Sequence, residues 1–350
     1  MTERLYELDG LRFLAALCVV FFHYTFSGWA GGTSPVEFPV EGTWSKYGYL
    51  GVDLFFAISG FVVLMSAWGR GPRAFVVSRV VRLYPAYWVG IALTAVVTLT
   101  LGAGVFTVTP GQILANLTMF QAVADVPNVD VVYWTLWSEM RFYMLIFVLT
   151  CVGMTRARVM AFLWGWLALT FAVEAGLVPR VADLMVQAEF SHYFIAGMGL
   201  FLVHRFGLTW QLAALLPLCL GNAVYRALGF ADAVGRRYGV SYDHAIIVGV
   251  VVAIFAVMAL VAFRVIWGRA VGPWLETAGA LTYPLYLLHA HIGFILFARL
   301  GGSVNRYVLL YGLVVVMCLA AYAVHRFVER PAAPALKGLL LPRREPANAT

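Results

Sequence analysis

Nine ionisable side chains stand inside or at the edges of apolar stretches: Arg12, His23, Asp53, Glu139, Arg141, Glu174, His192, His289 and His291. Each costs at least ~2.5 kcal/mol to place in hydrocarbon, so each needs a structural or chemical reason. Arg12 and His23 are eleven residues apart, which is three helical turns plus ~20°, so they share one helix face about 16 Å apart along the axis. A cation at one end of that stripe and an imidazole at the other suit a long ligand with an anionic head and a reactive tail. The alternative is a snorkelling arginine and a histidine bonded to a neighbouring helix. Glu139 lies in Y-W-T-L-W-S-E-M-R-F-Y, where a carboxylate must be protonated, paired or functional. Arg141, about 200° further round the helix, does not pair with it. His289 and His291 lie in Y-P-L-Y-L-L-H-A-H; two apart, they cannot both face inward, and Pro284 should kink their helix. Asp53 reads as an interfacial cap or polar contact, and Glu174 and His192 as outer-end groups that reach headgroups.

Arg79 and Arg82, in V-V-S-R-V-V-R-L-Y-P, are spaced i,i+3 and stand on one helix face. Two guanidiniums there can grip phosphate through paired N–H donors. Ordinary cytoplasmic positive charge is the competing explanation.

The elements that must position these residues follow from composition. Of 350 residues, 62% are hydrophobic and 12% charged, about half the charge of a soluble domain. Apolar runs predict about ten membrane helices: Leu11–Trp29, Gly48–Trp68, Tyr84–Gly104, Val131–Gly153, Val159–Val178, Phe190–Val203, Leu208–Tyr225, His244–Phe263, Ala278–Ala298 and Tyr307–Val324. The fold class is therefore an all-α, polytopic membrane bundle. The first span carries acidic residues ahead of it and no small-residue cleavage site, so it does not read as a cleaved signal. With both termini in the cytoplasm, sixteen Lys/Arg fall inside and seven outside, the bias expected of a membrane protein. The net charge of +7 is thus topological, and no nucleic-acid partner is expected. Residues 1–330 read as one membrane domain and 331–350 as a short cytoplasmic tail whose last ten residues fray. Cys18, Cys151, Cys219 and Cys318 lack metal or redox spacing, and no metal site, phosphate loop or nucleophile elbow is found.

Five segments, in order, carry a resemblance: L-D-G-L-R-F-L-A-A-L-C-V-V-F-F-H, Y-L-G-V-D-L-F-F-A-I-S-G-F, R-x-x-R-L-Y-P, W-T-L-W-S-E-M-R-F-Y and Y-P-L-Y-L-L-H. They run from Leu8 to His289 and resemble the acyltransferase family 3 membrane proteins. The resemblance implies transfer of an acyl group, commonly acetyl, from cytoplasmic acyl-coenzyme A to a hydroxyl of a sugar or sugar-bearing acceptor. It implies donor contacts for Arg12, Arg79 and Arg82, and catalytic roles for His23, Glu139 and His289. His23 would take the acceptor's proton, with Glu139 orienting that imidazole as a triad's third member does. The chain stops soon after the tenth span, so the peptidoglycan-type and two-domain activities of some relatives are not expected. Two rival classes remain: a transporter or channel with a buried proton or ion path, for which inverted repeats are lacking, and a scaffold for polysaccharide synthesis. Loss of thioester on adding acceptor would separate an enzyme from both.

The arginine bias makes a topological prediction. Cysteine-labelling reporters at Arg70–Arg73, Arg156–Arg158 and Arg264–Arg269 should report the cytoplasm, and reporters at Gly31 and Arg236 the outside. If the Arg70 and Arg236 loops report the same side, the span count is wrong.

Overall fold

A computed structural model describes residues 4–265 and 272–341. The last nine residues of the expected fraying tail lie outside that range. Among the described residues every regular element is helical. Eleven helices frame the chain: α1 Tyr6–Phe22, α2 Gly51–Ala67, α3 Pro72–Leu101, α4 Trp134–Val152, α5 Arg156–Glu174, α6 Ser191–Phe206, α7 Trp210–Tyr238, α8 His244–Ala262, α9 Gly272–Leu300, α10 Arg306–Val324 and α11 Arg330–Leu340. Among the described residues nine helical segments are long and apolar enough to cross a membrane.

The expected tenth span is α6, and it differs for a physical reason. It has only 16 residues, and every residue from Ser191 to Val203 is buried. A helix sheathed in protein need not match the lipid thickness. Its closest neighbour is α2, and glycines make the approach possible. A Cβ at Gly60 would strike the Phe194 carbonyl, and one at Gly197 the Ala57 carbonyl. Small residues let membrane helices pack backbone to backbone, where dispersion supplies the attraction that lipid does not.

Helices α1 and α9 form the other close pair. Arg4 joins their first turns, reaching Asp9 at 2.9 Å and Glu276 at 2.8 Å. At its far end α1 widens into a π turn over His23–Ser27. Such a turn adds a residue to the helix and re-aims the side chains that follow. Thr25 Oγ1 meets one loosened carbonyl, donating to Phe21 at 2.7 Å. A second π turn, His325–Glu329, links α10 to α11. The C-terminal segment expected as tail is therefore helical up to Leu340.

The α2–α6 contact yields a stability prediction. Gly197→Ala and Gly60→Ala should each cost about 1–3 kcal/mol through overpacking, read as a lowered melting temperature in detergent. Gly221→Ala and Gly249→Ala, where nothing lies within 4 Å of an added Cβ, should be neutral or stabilising. Equal behaviour of the two sets would refute glycine-mediated packing.

Candidate active site

The two histidines singled out by their motifs meet. His23 Nδ1 lies 2.8 Å from His289 Nε2, and the rings are 5.0 Å apart. His289 is fully buried. Its Nδ1 faces the carbonyls of Tyr286 at 2.9 Å and Leu285 at 3.2 Å. Carbonyl oxygens only accept, so His289 Nδ1 carries the proton and its Nε2 carries a lone pair. His23 Nδ1 must then donate to it. That leaves His23 Nε2 with the free lone pair, the form a general base requires.

Several contacts hold α9 so that this geometry exists. Tyr24 OH donates to the His289 carbonyl at 2.9 Å. It can come that close because residue 293 is glycine, where a Cβ would collide with the Tyr24 ring. Asp130 caps the turn before α4, accepting from Val132 N–H at 3.1 Å, and its second oxygen accepts from His291 N–H at 2.9 Å. Tyr133 OH donates to the Leu287 carbonyl at 3.3 Å. His291 itself turns away from the pair and stacks on Phe106, 3.8 Å between centroids.

Glu139 does not reach His23. Its Oε1 accepts from Ser59 Oγ at 3.0 Å and Tyr143 OH at 2.5 Å. It does not stand against the His23 ring as a triad's third member would, because α4 presents Glu139 to α2 and to its own next turn; His289 is the group bonded to His23 Nδ1. Glu139 instead lines a cavity of about 690 Å³ together with Arg12, Arg82, Ser59, Phe55 and Tyr286. A second, more open chamber of about 940 Å³ adds Arg4, Asp9, His325 and Arg330. The two share Arg12, Arg82, Gly279 and Tyr283, so the guanidiniums stand at the throat between them. His23 is not on the wall of the inner cavity. Tyr286 is, with its ring 5.7 Å from that of His289 and its hydroxyl 3.0 Å from Thr135 Oγ1.

Arg79 and Arg82 part company. Arg82 lines both chambers. Arg79 is tucked between helices, donating to Ser66 at 3.2 Å and Ser78 at 3.0 Å and lying over the rings of Tyr143 and Phe75. Tyr143 thereby links Arg79 to Glu139. Sequence reasoning passed over Tyr143, although its i+4 spacing from Glu139 places both on one face. It also passed over Asp130, Tyr24 and Tyr286. Asp130 could have been suspected, being a cap-forming residue just ahead of a span.

The remaining ionisable residues lie away from the histidine pair. Asp53 is buried and accepts from Tyr193 OH at 3.0 Å. Glu174 pairs with Arg226 at 2.8 Å rather than with headgroups. His192, also expected at the headgroups, is fully buried in α6, because that helix is enclosed. Arg141 donates to the Leu184 carbonyl at 3.2 Å and covers Trp137.

Comparison with known proteins matches these helices. The pattern of the acyltransferase domain family, acyltransferase 3, fits residues 5–326. The putative membrane-bound transacylase BcsY of Komagataeibacter xylinus is 28% identical over 350 residues, covering 93% of this chain and 82% of that protein. The peptidoglycan O-acetyltransferase OatA of Listeria monocytogenes is 31% identical over 97 residues, 26% of this chain and 13% of that protein. Protein 2 in the picA locus of Rhizobium radiobacter is 39% identical over 100 residues, 27% of this chain and 45% of that protein. The chain thus matches less than half the length of the last two. No solved structure matches it. With the family pattern running through α1 to α10, the protein belongs to the acyltransferase 3 family of multi-pass membrane proteins.

Proposed function

We propose that the protein is an O-acyltransferase of the cell's plasma (inner) membrane that moves an acyl group, acetyl by preference, from acyl-coenzyme A to a hydroxyl of a carbohydrate acceptor. The observation that carries this reading is the His23–His289 pair, which leaves His23 Nε2 with a lone pair. Family membership and the name of BcsY, a putative membrane-bound transacylase, support acyl transfer, and the name of OatA, a peptidoglycan O-acetyltransferase, supports a cell-surface sugar polymer as acceptor. The donor is inferred from charge: Arg4, Arg12, Arg82 and Arg330 outnumber Asp9 and Glu329 around the open chamber, and guanidiniums suit a nucleotide's phosphates. Arg12 and His23 on one helix match the long, thin pantetheine arm.

In this reading the acceptor hydroxyl gives its proton to His23 Nε2 as its oxygen attacks the thioester carbonyl. The tetrahedral intermediate collapses, the C–S bond breaks, and the imidazolium returns the proton to the departing thiolate. The products are an ester and free coenzyme A, with no covalent enzyme intermediate. Throughout, His289 Nε2 accepts from His23 Nδ1–H and keeps the ring oriented. The thioester approaches His23 from the inner cavity, past Tyr286. Glu139 and Tyr143 hold the throat in shape and place a negative charge beside Arg12 and Arg82.

His23→Gln keeps a hydrogen bond but cannot take a proton, so turnover should fall at least ~10²-fold while donor affinity holds. Turnover of His289→Leu should also fall, because leucine offers no acceptor for His23 Nδ1–H. Near-normal turnover in His23→Gln, measured by thioester loss with acceptor present, would remove His23 as the base.

The two arginines should separate. Arg82→Ala should weaken acyl-coenzyme A binding by about 1.5–3 kcal/mol, the size of a lost charge-assisted contact, with lysine rescuing only partly. Arg79→Ala should lower thermal stability and turnover with a smaller change in donor affinity, since Arg79 acts through Tyr143. Unchanged donor affinity in Arg82→Ala would leave it a topology determinant.

A further inference from the structure

A third cavity, of about 450 Å³, opens among α2, α4, α6 and α7. It is lined by Tyr49, Trp134, Phe190 and Phe230, with Asp53, Glu189 and Arg226 on its wall, the last paired with Glu174 at 2.8 Å. Asp53 stands in the first turn of α2, Trp134 opens α4, and Phe190 immediately precedes α6. The outer arginine chamber lies toward the other end of the bundle, lined by Arg4, Asp9 and Arg12 where α1 begins and by Ser78 and Arg82 of α3, whereas the inner cavity reaches up to Val52, Phe55 and Ser59 of α2. This cavity therefore opens at the membrane face opposite the outer donor chamber. It shares Val52 with the inner cavity. Tyr49 also meets Phe22 edge-on at 5.8 Å, and the Phe22 ring lies 5.1 Å from that of His23. The cavity thus approaches the catalytic pair from the far side.

We propose that this cavity is the acceptor subsite and that it binds a neutral saccharide unit of the chain being acylated. The proposal rests on the O-acyltransferase reading and names where that reading's acceptor lies. Three features carry it. The aromatic rings offer flat apolar faces for the C–H faces of a pyranose ring. Asp53 is 8% exposed, and Tyr193 OH meets Oδ2, leaving Oδ1 to accept from a sugar hydroxyl. Tyr49 OH is buried with no hydrogen-bond partner among the described residues, and a buried hydroxyl without a partner is costly enough to call for one. Apolar walls with a few fixed polar groups are what a small-ligand pocket needs.

Asp53 also ties α2 to α6, so packing alone could explain it. Asp53→Asn separates the roles: its amide oxygen still accepts from Tyr193 OH, while an N–H donor replaces the second carboxyl oxygen that would accept from a sugar hydroxyl. The protein in lipid nanodiscs would be titrated with chitotetraose and cellotetraose by calorimetry, without donor. One of the two should bind wild type. Asp53→Asn and Trp134→Ala should each weaken that binding about tenfold or more, with the Asp53→Asn melting temperature and acyl-coenzyme A affinity unchanged. Absence of binding of both tetrasaccharides to wild type, or binding indifferent to both substitutions, overturns the subsite. Because no donor is present, this result is independent of His23. A His23→Gln protein that binds tetrasaccharide normally but turns over normally too would sink the general-base reading and leave the subsite standing.

Discussion

The hydrogen bond between His23 and His289 is the interaction on which the rest of the site depends. Inside a bundle there is little water to choose a tautomer, so the protein must choose it. It does so with backbone: the carbonyls of Leu285 and Tyr286 take the His289 Nδ1 proton, and everything downstream is determined by acceptor and donor logic. A carboxylate in the place of His289 would do the same orienting at the cost of burying a charge, which in hydrocarbon is far more expensive than burying a neutral ring. The price of this solution is positional. His289 must be held to within a few tenths of an ångström, and Tyr24, Asp130 and Tyr133 all bind the backbone of the same turn of α9.

The charged groups are segregated from that neutral pair. Arg12, Arg82 and Glu139 gather at the throat of the inner cavity, where their opposite signs compensate one another in a low dielectric. Tyr286 separates this polar throat from the imidazoles. Helix α1 spans both regions, with Arg12 at one end of its stripe and His23 at the start of the π turn. The turns before His23 pack closely on Gly51 of α2 and on Gly48 just ahead of it, whose missing side chains admit the carbonyls of Ala15 and Cys18, and the extra residue of the π turn re-aims the side chains after His23.

Much of this was legible in the sequence. Apolar runs gave the helices because lipid makes length and hydropathy the dominant constraints, and nine of the ten segments are long enough to span. The short α6 is also a helix, but its enclosure was not legible, since Gly60 and Gly197 read as small residues without naming each other as partners. The pairing of His23 with a distant group was expected, but the partner was not. Glu139 carries the stronger charge, whereas His289 wins by register: Tyr24 and Asp130 bond the α9 backbone beside it, and neither contact can be read from spacing along one helix. The separation of Arg79 from Arg82 was hidden for the same reason, because i,i+3 spacing fixes a shared face but not which side chain finds serines and rings to bury against.

The central claim is the tautomer of His23, and nitrogen NMR reads it directly. With the protein labelled at histidine ring nitrogens and the His23 signals identified by their loss in His23→Gln, the account predicts a protonated Nδ1 and an unprotonated, lone-pair Nε2 at neutral pH. It also predicts a proton on Nδ1 of His289. The opposite tautomer, with the His23 proton on Nε2 and Nδ1 bare, would place the lone pair against His289 instead of toward a substrate and would contradict the account.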